Sequence, residues 1–415
     1  NKTARRAAPS KQLMSALTPP QERQAAWRLA QLLILGAFFL LAISFQSQQP
    51  TTIDGASLNP VTSGASTSTS SVEETPRARS FTLVASGELL VHEYVADVAR
   101  STDGTQWDFS PMFSRVAPVL QAADLALCHL ETPLSANNND LSYYPGFSVP
   151  FELAQAIGQA GYDGCSAASN HSLDAGTAGA ASTLSHLENA GIGAAGMATS
   201  PEQAGPVFYD ANGVTVAHLS VTDLLNGATL PTDPAWLVAS LDPGLVMASA
   251  ENARADGAEF VVVSIHWGDE YVSALTDRQN QITATLLASD SIDLIIGHGA
   301  HVPQPVIIHN GKYAVAGMGN FLSNQPGDQR RRCNECPPAT QDGVMVWFDI
   351  AENNDGDLVV AEAGYYPTWV DRSTYEIALL GLDEPSSVDS VILLEAAQRT
   401  ATVFEPTIER RTTLP

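Results

Sequence analysis

The most constraining stretch of the sequence is Asp293-Leu-Ile-Ile-Gly-His298-Gly-Ala-His301. Its apolar residues predict a buried strand, which Gly297 ends with two imidazoles three positions apart. Side chains at the C-terminal edge of such strands project into the crevice where open α/β sheets hold ligands. Three other strand-like runs stop in the same way: Val261-Val-Val-Ser-Ile-His266, Gly164-Cys-Ser-Ala-Ala-Ser-Asn170-His171 and Leu125-Ala-Leu-Cys-His129-Leu-Glu131. One ending of this kind is weak evidence, but four in one chain point to a shared site. Imidazole suits Zn, Mn or Fe, and a rigid strand end fixes its direction.

The rest of the chain sets the context. At 415 residues it has the length for one large domain or two smaller ones. Residues 1–30 carry six Lys/Arg and one acid, so of 20 basic and 45 acidic residues 14 and 44 fall beyond residue 30. That net −30 makes the main part a poor partner for nucleic acid, whose affinity comes largely from neutralising phosphates.

Leu29 to Ile53 contains no charged residue, and residues 32–45 are apolar except for Ser44. With its uncharged flanks the run is long enough to cross a bilayer. Arg5, Arg6, Lys11, Arg23 and Arg28 precede it, so the positive-inside rule places residues 1–28 in the cytoplasm. A cleaved signal peptide is the competing reading. The run is long for an h-region and no A-x-A site follows, which favours an uncleaved anchor. The expected organisation is a basic cytoplasmic tail (1–28), a transmembrane anchor (29–45), a disordered Ser/Thr/Pro-rich linker (46–80), a main domain (81–370) outside the membrane and a C-terminal extension (371–415). The localisation that follows is the cell membrane, single-pass.

From Phe81 onward, strands alternate with helices. Strands are predicted at 81–86, 125–129, 163–168, 260–266, 294–297, 344–349 and 358–366. Helices are predicted at 111–122, 151–161, 174–190, 245–256, 277–289 and 388–403. Asn212-Gly213 and Asn310-Gly311 each lie between strand-like runs and signal hairpins. The fold class is α/β, a sandwich of mixed sheets.

The motifs taken in order are Gly87-Glu88, His129-Leu-Glu131-Thr-Pro, Ser169-Asn170-His171-Ser-Leu-Asp174, His266-Trp-Gly-Asp-Glu270-Tyr271, Gly297-His298-Gly299-Ala300-His301-Val-Pro-Gln304 and Gly319-Asn320-Phe321. As a set they resemble the CapA family, which is linked to poly-γ-glutamate capsule synthesis. The resemblance runs from about Phe81 to Ser323 and more weakly to about Val370. It implies a metallophosphatase-like fold with one or two divalent ions (Mn, Fe or Zn) held by Glu88, Glu131, Asn170, His266, His298 and His301. It also implies His171 as the acid that protonates a leaving group, with Glu270 beside it as the second candidate catalytic residue. Three positions depart from the family pattern: Glu88 stands for Asp, His129 for Asn, and Gly299-Ala300 for His-Pro.

The chemistry is coherent without the family name. Cations held by carboxylates and imidazoles polarise a phosphoryl oxygen and generate hydroxide near neutral pH. A nearby imidazole such as His171 suits general-acid work. Isolated histidines (His92, His186, His218, His309) read as ordinary hydrogen-bonded polar residues, and Trp267 and Tyr271 as packing beside the site. Asp174 is equally suited to opening the next helix and to chemistry. Cys333-Asn-Glu-Cys336 reads as a short-loop disulfide, since a zinc site needs a second pair. Cys128 and Cys165 read as buried apolar residues that pair only if their strands are neighbours.

Three functions follow from these readings. One is a CapA-type envelope protein acting on an anionic polymer with capsule-synthesis membrane proteins. A second is a general extracytoplasmic phosphoesterase, and the third is a non-catalytic assembly subunit.

Overall fold

The structure, a computed structural model, describes residues 79–226, 236–326, 333 and 335–415. The predicted tail, anchor and all but the end of the linker lie outside the described residues. Among the described residues no helix is long and apolar enough to cross a membrane.

Two sheets stack face to face. Strands β1 (Ser80–Leu90), β2 (Leu125–Leu130), β3 (Gly164–Ser166) and β4 (Gly193–Ala195) run parallel in one half of the first sheet. The second sheet holds β5 (Val207–Ala211), β6 (Val214–Thr222), β7 (Phe260–His266), β8 (Leu294–His298), β9 (Pro303–His309) and β10 (Lys312–Met318), in the order β5-β6-β7-β8-β10-β9. The chain then returns to the first sheet through β11 (Asn320–Ser323), β12 (Asp342–Glu352), β13 (Leu358–Val370), β14 (Ile377–Leu379) and β15 (Glu409–Arg410). The C-terminal extension is thus woven into the same fold. Both sheets mix parallel and antiparallel pairs, in keeping with the mixed α/β sandwich expected from sequence.

Helices cover the outer faces, except the last, whose Phe404 joins the core between the sheets. They are α1 (Glu93–Ala99), α2 (Ala117–Leu120), α3 (Glu152–Ala160), α4 (Gly176–Asn189), α5 (Pro243–Ala255), α6 (Asp277–Leu287) and α7 (Ser390–Phe404). Phe81, Leu83 and Leu127 of the first sheet meet Val216, Phe260 and Ile296 of the second, with Phe81 edge-on to Phe260 at 5.6 Å. On the far side of the first sheet, Val84 and Ala126 pack with Leu153 and Ile157. Val263 and Ile295 pack with Val246 and Ile282 on the far side of the second. The central strands are buried on both faces, so their sequences are apolar without alternation.

One expected element differs. The helix predicted over 111–122 is a 3₁₀ turn, Ser110–Phe113, followed by the single turn α2. Pro118 lacks the N–H that a continuing helix needs, so it opens a new turn instead.

Candidate metal and acid–base site

Strand register assembles the site. In the first sheet Glu88 of β1 is paired with His129 of β2, and in the second His266 of β7 is paired with His298 of β8. The two strand ends meet where the Gly299 N–H donates to Glu88 Oε1 at 2.6 Å. His301 reaches the other carboxylate oxygen, with its Nδ1 2.5 Å from Glu88 Oε2. This arrangement demands an unusual backbone. Gly299 has φ +105°, and a Cβ there would stand 2.7 Å from Trp267 O. His301 is a non-glycine residue at φ +58°, a costly conformation that the surrounding contacts hold in place.

Glu131 completes a triad. It follows β2 directly, its N–H donates to Leu89 O, and its carbonyl accepts from Ser169 Oγ at 2.7 Å. The carboxylate is 1% exposed, and neither oxygen has a hydrogen-bond partner. Its Oε1 stands 3.8 Å from His301 Nε2. One ligand atom each from Glu88, Glu131 and His301 lies within 4.8 Å of the others. Buried carboxylates without hydrogen bonds are costly unless a cation compensates them, so the donor set fits a divalent ion.

The electrostatics agree with that requirement. Burial alone would raise the pKa of Glu88, but the His301 imidazole lowers it to about 2. Burial would likewise lower that of His301, and the Glu131 and Glu88 carboxylates together raise it instead. Glu131 is pushed up to about 7 by burial, against the pull of His301. A bound cation would take over the charge that His301 now supplies.

His171 stands on the loop after β3. Its Nδ1 lies 2.6 Å from Asp174 Oδ2, which also accepts from the Phe147 N–H at 2.9 Å. The Phe147 ring meets His171 edge-on at 4.7 Å. Asp174 does not cap a helix: α4 begins at Gly176, and its N-cap Ala175 makes no side-chain cap bond. Sequence left the role of Asp174 open, and the Asn-His-x-x-Asp spacing is the signal that pairs it with His171. The Oδ1 of neighbouring Asn170 is another buried oxygen without a partner.

The remaining candidates occupy two zones. Glu270 is exposed at the rim, where its charge reaches His301, Glu131 and Tyr271. Its loop is fastened by Gln304, whose Nε2 donates to Val272 O at 2.8 Å. His266 and His298 lie deeper, beside His129. His129 Nε2 is 3.0 Å from His266 Nδ1, and the His129 and His298 rings stack at 4.2 Å. Burial holds all three imidazoles well below their usual pKa. The structure therefore converges Glu88, Glu131 and His301, with His171 held separately by Asp174 and the deeper imidazoles behind.

Residues 82–325 match the family described as "Bacterial capsule synthesis protein PGA_cap". The chain belongs to that family. The PGA biosynthesis protein CapA of Bacillus subtilis is 26% identical over 298 residues, which is 69% of this chain and 73% of that protein. The capsule biosynthesis protein CapA of Bacillus anthracis is 24% identical over 287 residues, 67% of this chain and 66% of that protein. Among solved structures, a phosphatase from Mycoplasma pneumoniae overlaps with 12% identity and a TM-score of 0.43, over 76% of this chain and all of that one. That overlap is loose, and the architecture stands on the strand pairing described above. The PGA_cap match contains every candidate site residue, from Glu88 to His301.

Proposed function

We propose that this PGA_cap protein acts in capsule or cell-envelope polymer synthesis, of the poly-γ-glutamate type, through a metal-dependent hydrolase-type site. The observation that carries the reading is Glu131, a buried carboxylate with no hydrogen bond, facing Glu88 and His301. In this reading Glu88, Glu131 and His301 hold a divalent ion, which when bound would polarise a substrate oxygen and lower the pKa of water. His171 acts in its doubly protonated form: its Nδ1–H donates to Asp174, which orients the ring, and the proton on Nε2 passes to the leaving group. Glu270 at the rim limits which anionic groups approach without a cation.

Two disulfides, Cys128–Cys165 and Cys333–Cys336, support an oxidising location outside the cytoplasm. That agrees with a membrane-anchored chain, N-terminus inside, working beside capsule-synthesis membrane proteins. The substrate is an anionic polymer or a phosphoester.

The test is metal content of the full chain by mass spectrometry, followed by assays on p-nitrophenyl phosphate and poly-γ-glutamate. Wild type should retain Mn, Fe or Zn, and Glu131→Gln should lose it. His171→Ala should keep the metal and lose roughly 10²–10⁴ in turnover. Absence of bound metal after reconstitution would sink the hydrolase reading and leave a non-catalytic assembly role.

A further inference from the structure

The His129–His266 contact has a direction that the neighbouring bonds fix. Ser166 Oγ has one proton and two neighbours, Cys128 O at 3.2 Å and His129 Nδ1 at 2.8 Å; both contacts are hydrogen bonds only when the hydroxyl donates to the carbonyl and accepts from the ring. In that arrangement His129 Nδ1 is the protonated nitrogen. A neutral His129 then presents a bare lone pair at Nε2, and the proton between the two rings belongs to His266 Nδ1. His266 is left with its own lone pair on Nε2.

That nitrogen is bonded to Cδ2, the ring carbon on the Gly299 side. The adjacent ring carbon, His266 Cδ2, comes within 3.1 Å of where a Cβ on Gly299 would stand, and Gly299 is the residue whose N–H holds Glu88. His266 also feels the charges of Glu88 and His301, and less strongly that of His171. Metal-binding histidines characteristically donate their second N–H to an acceptor, which fixes ring orientation and tautomer.

We propose that His129, itself oriented by Ser166, is a positioning residue that locks His266 with its Nε2 lone pair turned toward the Glu88–Glu131–His301 cluster. This rests on the metal reading above for its purpose, though not for its geometry. His129 is thus neither a spare ligand nor filler. Both of its nitrogens are committed, one to Ser166 and one to His266. The cross-strand register that sets Cys128 beside Cys165 also sets His129 beside Ser166, so the relay is built into the β2–β3 ladder.

Two measurements on the full chain test this. In metal-free protein labelled with ¹⁵N-histidine, long-range ¹⁵N–¹H spectra report which ring nitrogen carries the proton, and His266→Gln identifies the His266 signals. Wild type should show His266 protonated at Nδ1. His129→Leu should lose that preference, and His129→Asn, whose amide oxygen can accept the same proton, should keep it. Titration with Mn²⁺ alone should show a 10–100-fold weaker affinity in His129→Leu and a change of only a few-fold in His129→Asn. Thermal melts of both variants separate loss of the relay from loss of the fold.

An Nε2–H tautomer for His266 in wild type would overturn the proposal. So would a His129→Leu protein with unchanged tautomer and unchanged Mn²⁺ affinity. Wild type that binds no Mn²⁺ yet shows the Nδ1–H form would support the lock while removing the metal reading, so the two failures are distinguishable.

Discussion

Burial acts on single side chains in two ways here, depending on whether a countercharge is present. Glu88 and His301 are buried together, and each holds the other in its charged form. His218 is buried without a charged partner. Its Nε2 bonds Ser264 Oγ at 2.8 Å, and desolvation alone lowers its pKa to about 3. The unfolded chain would take up that proton near pH 6.5. Between those values the unfolded state binds more protons, so the stability His218 contributes is full above about pH 6.5 and is lost as pH falls toward 3. His129, His266 and His298 are shifted in the same direction and add to the slope. His218→Gln keeps a partner for Ser264 and removes one titrating group. Urea titrations from pH 6 to 4 should show its stability falling less steeply, by roughly 1.4 kcal/mol per pH unit at most. Equal slopes for the two proteins would refute this. Sequence offers His218 only as a polar residue in an apolar run, because the sheet face it points to is invisible until strand order is known.

Turns and strand ends carry most of what is legible at the level of elements. Asn212-Gly213 and Asn310-Gly311 adopt positive φ at both positions, as the hairpins between β5 and β6 and between β9 and β10 require. The long apolar runs became β7 and β8 because length and β-branched content leave them little alternative. Short strands are harder to see: β4, β11 and β14 have three or four residues each, too few to show a period. Close approach is hidden as well. Gly87 lies in mid-strand, where a Cβ would stand 2.1 Å from Gly319 O, the acceptor of the Glu88 N–H bond at 2.9 Å. Gly87→Ala must push β1 away from the β10–β11 turn and break that bond. The expected cost is roughly 3 kcal/mol, read as a lower denaturation midpoint at unchanged slope, with weaker Mn²⁺ binding because Glu88 moves too. A loss under about 0.5 kcal/mol would show that the backbone yields there freely.

For the molecule as a whole, the question is what keeps two sheets in register at a site that draws residues from both. The ladders alone set Glu88 beside His129 and His266 beside His298, and the inter-sheet core around Phe81, Phe260 and Ile296 holds the faces together. The Cys128–Cys165 bridge adds a covalent tie between β2 and β3, closing a separation of 37 residues. Constraining the unfolded chain over that distance is worth roughly 4 kcal/mol in the loop-entropy picture. The bridge and the site then have separable roles. Replacing both cysteines with Ala should lower stability by about 2–5 kcal/mol. The same variant, kept well below its melting temperature, should bind Mn²⁺ within a few-fold of wild type, because the β2–β3 ladder and the Ser166–His129 bond survive. Loss of Mn²⁺ binding in a variant that still melts cooperatively would mean the bridge, rather than the ladder, sets the geometry of the site. Unchanged stability would mean the unfolded chain is already compact enough that the tie removes little of its freedom.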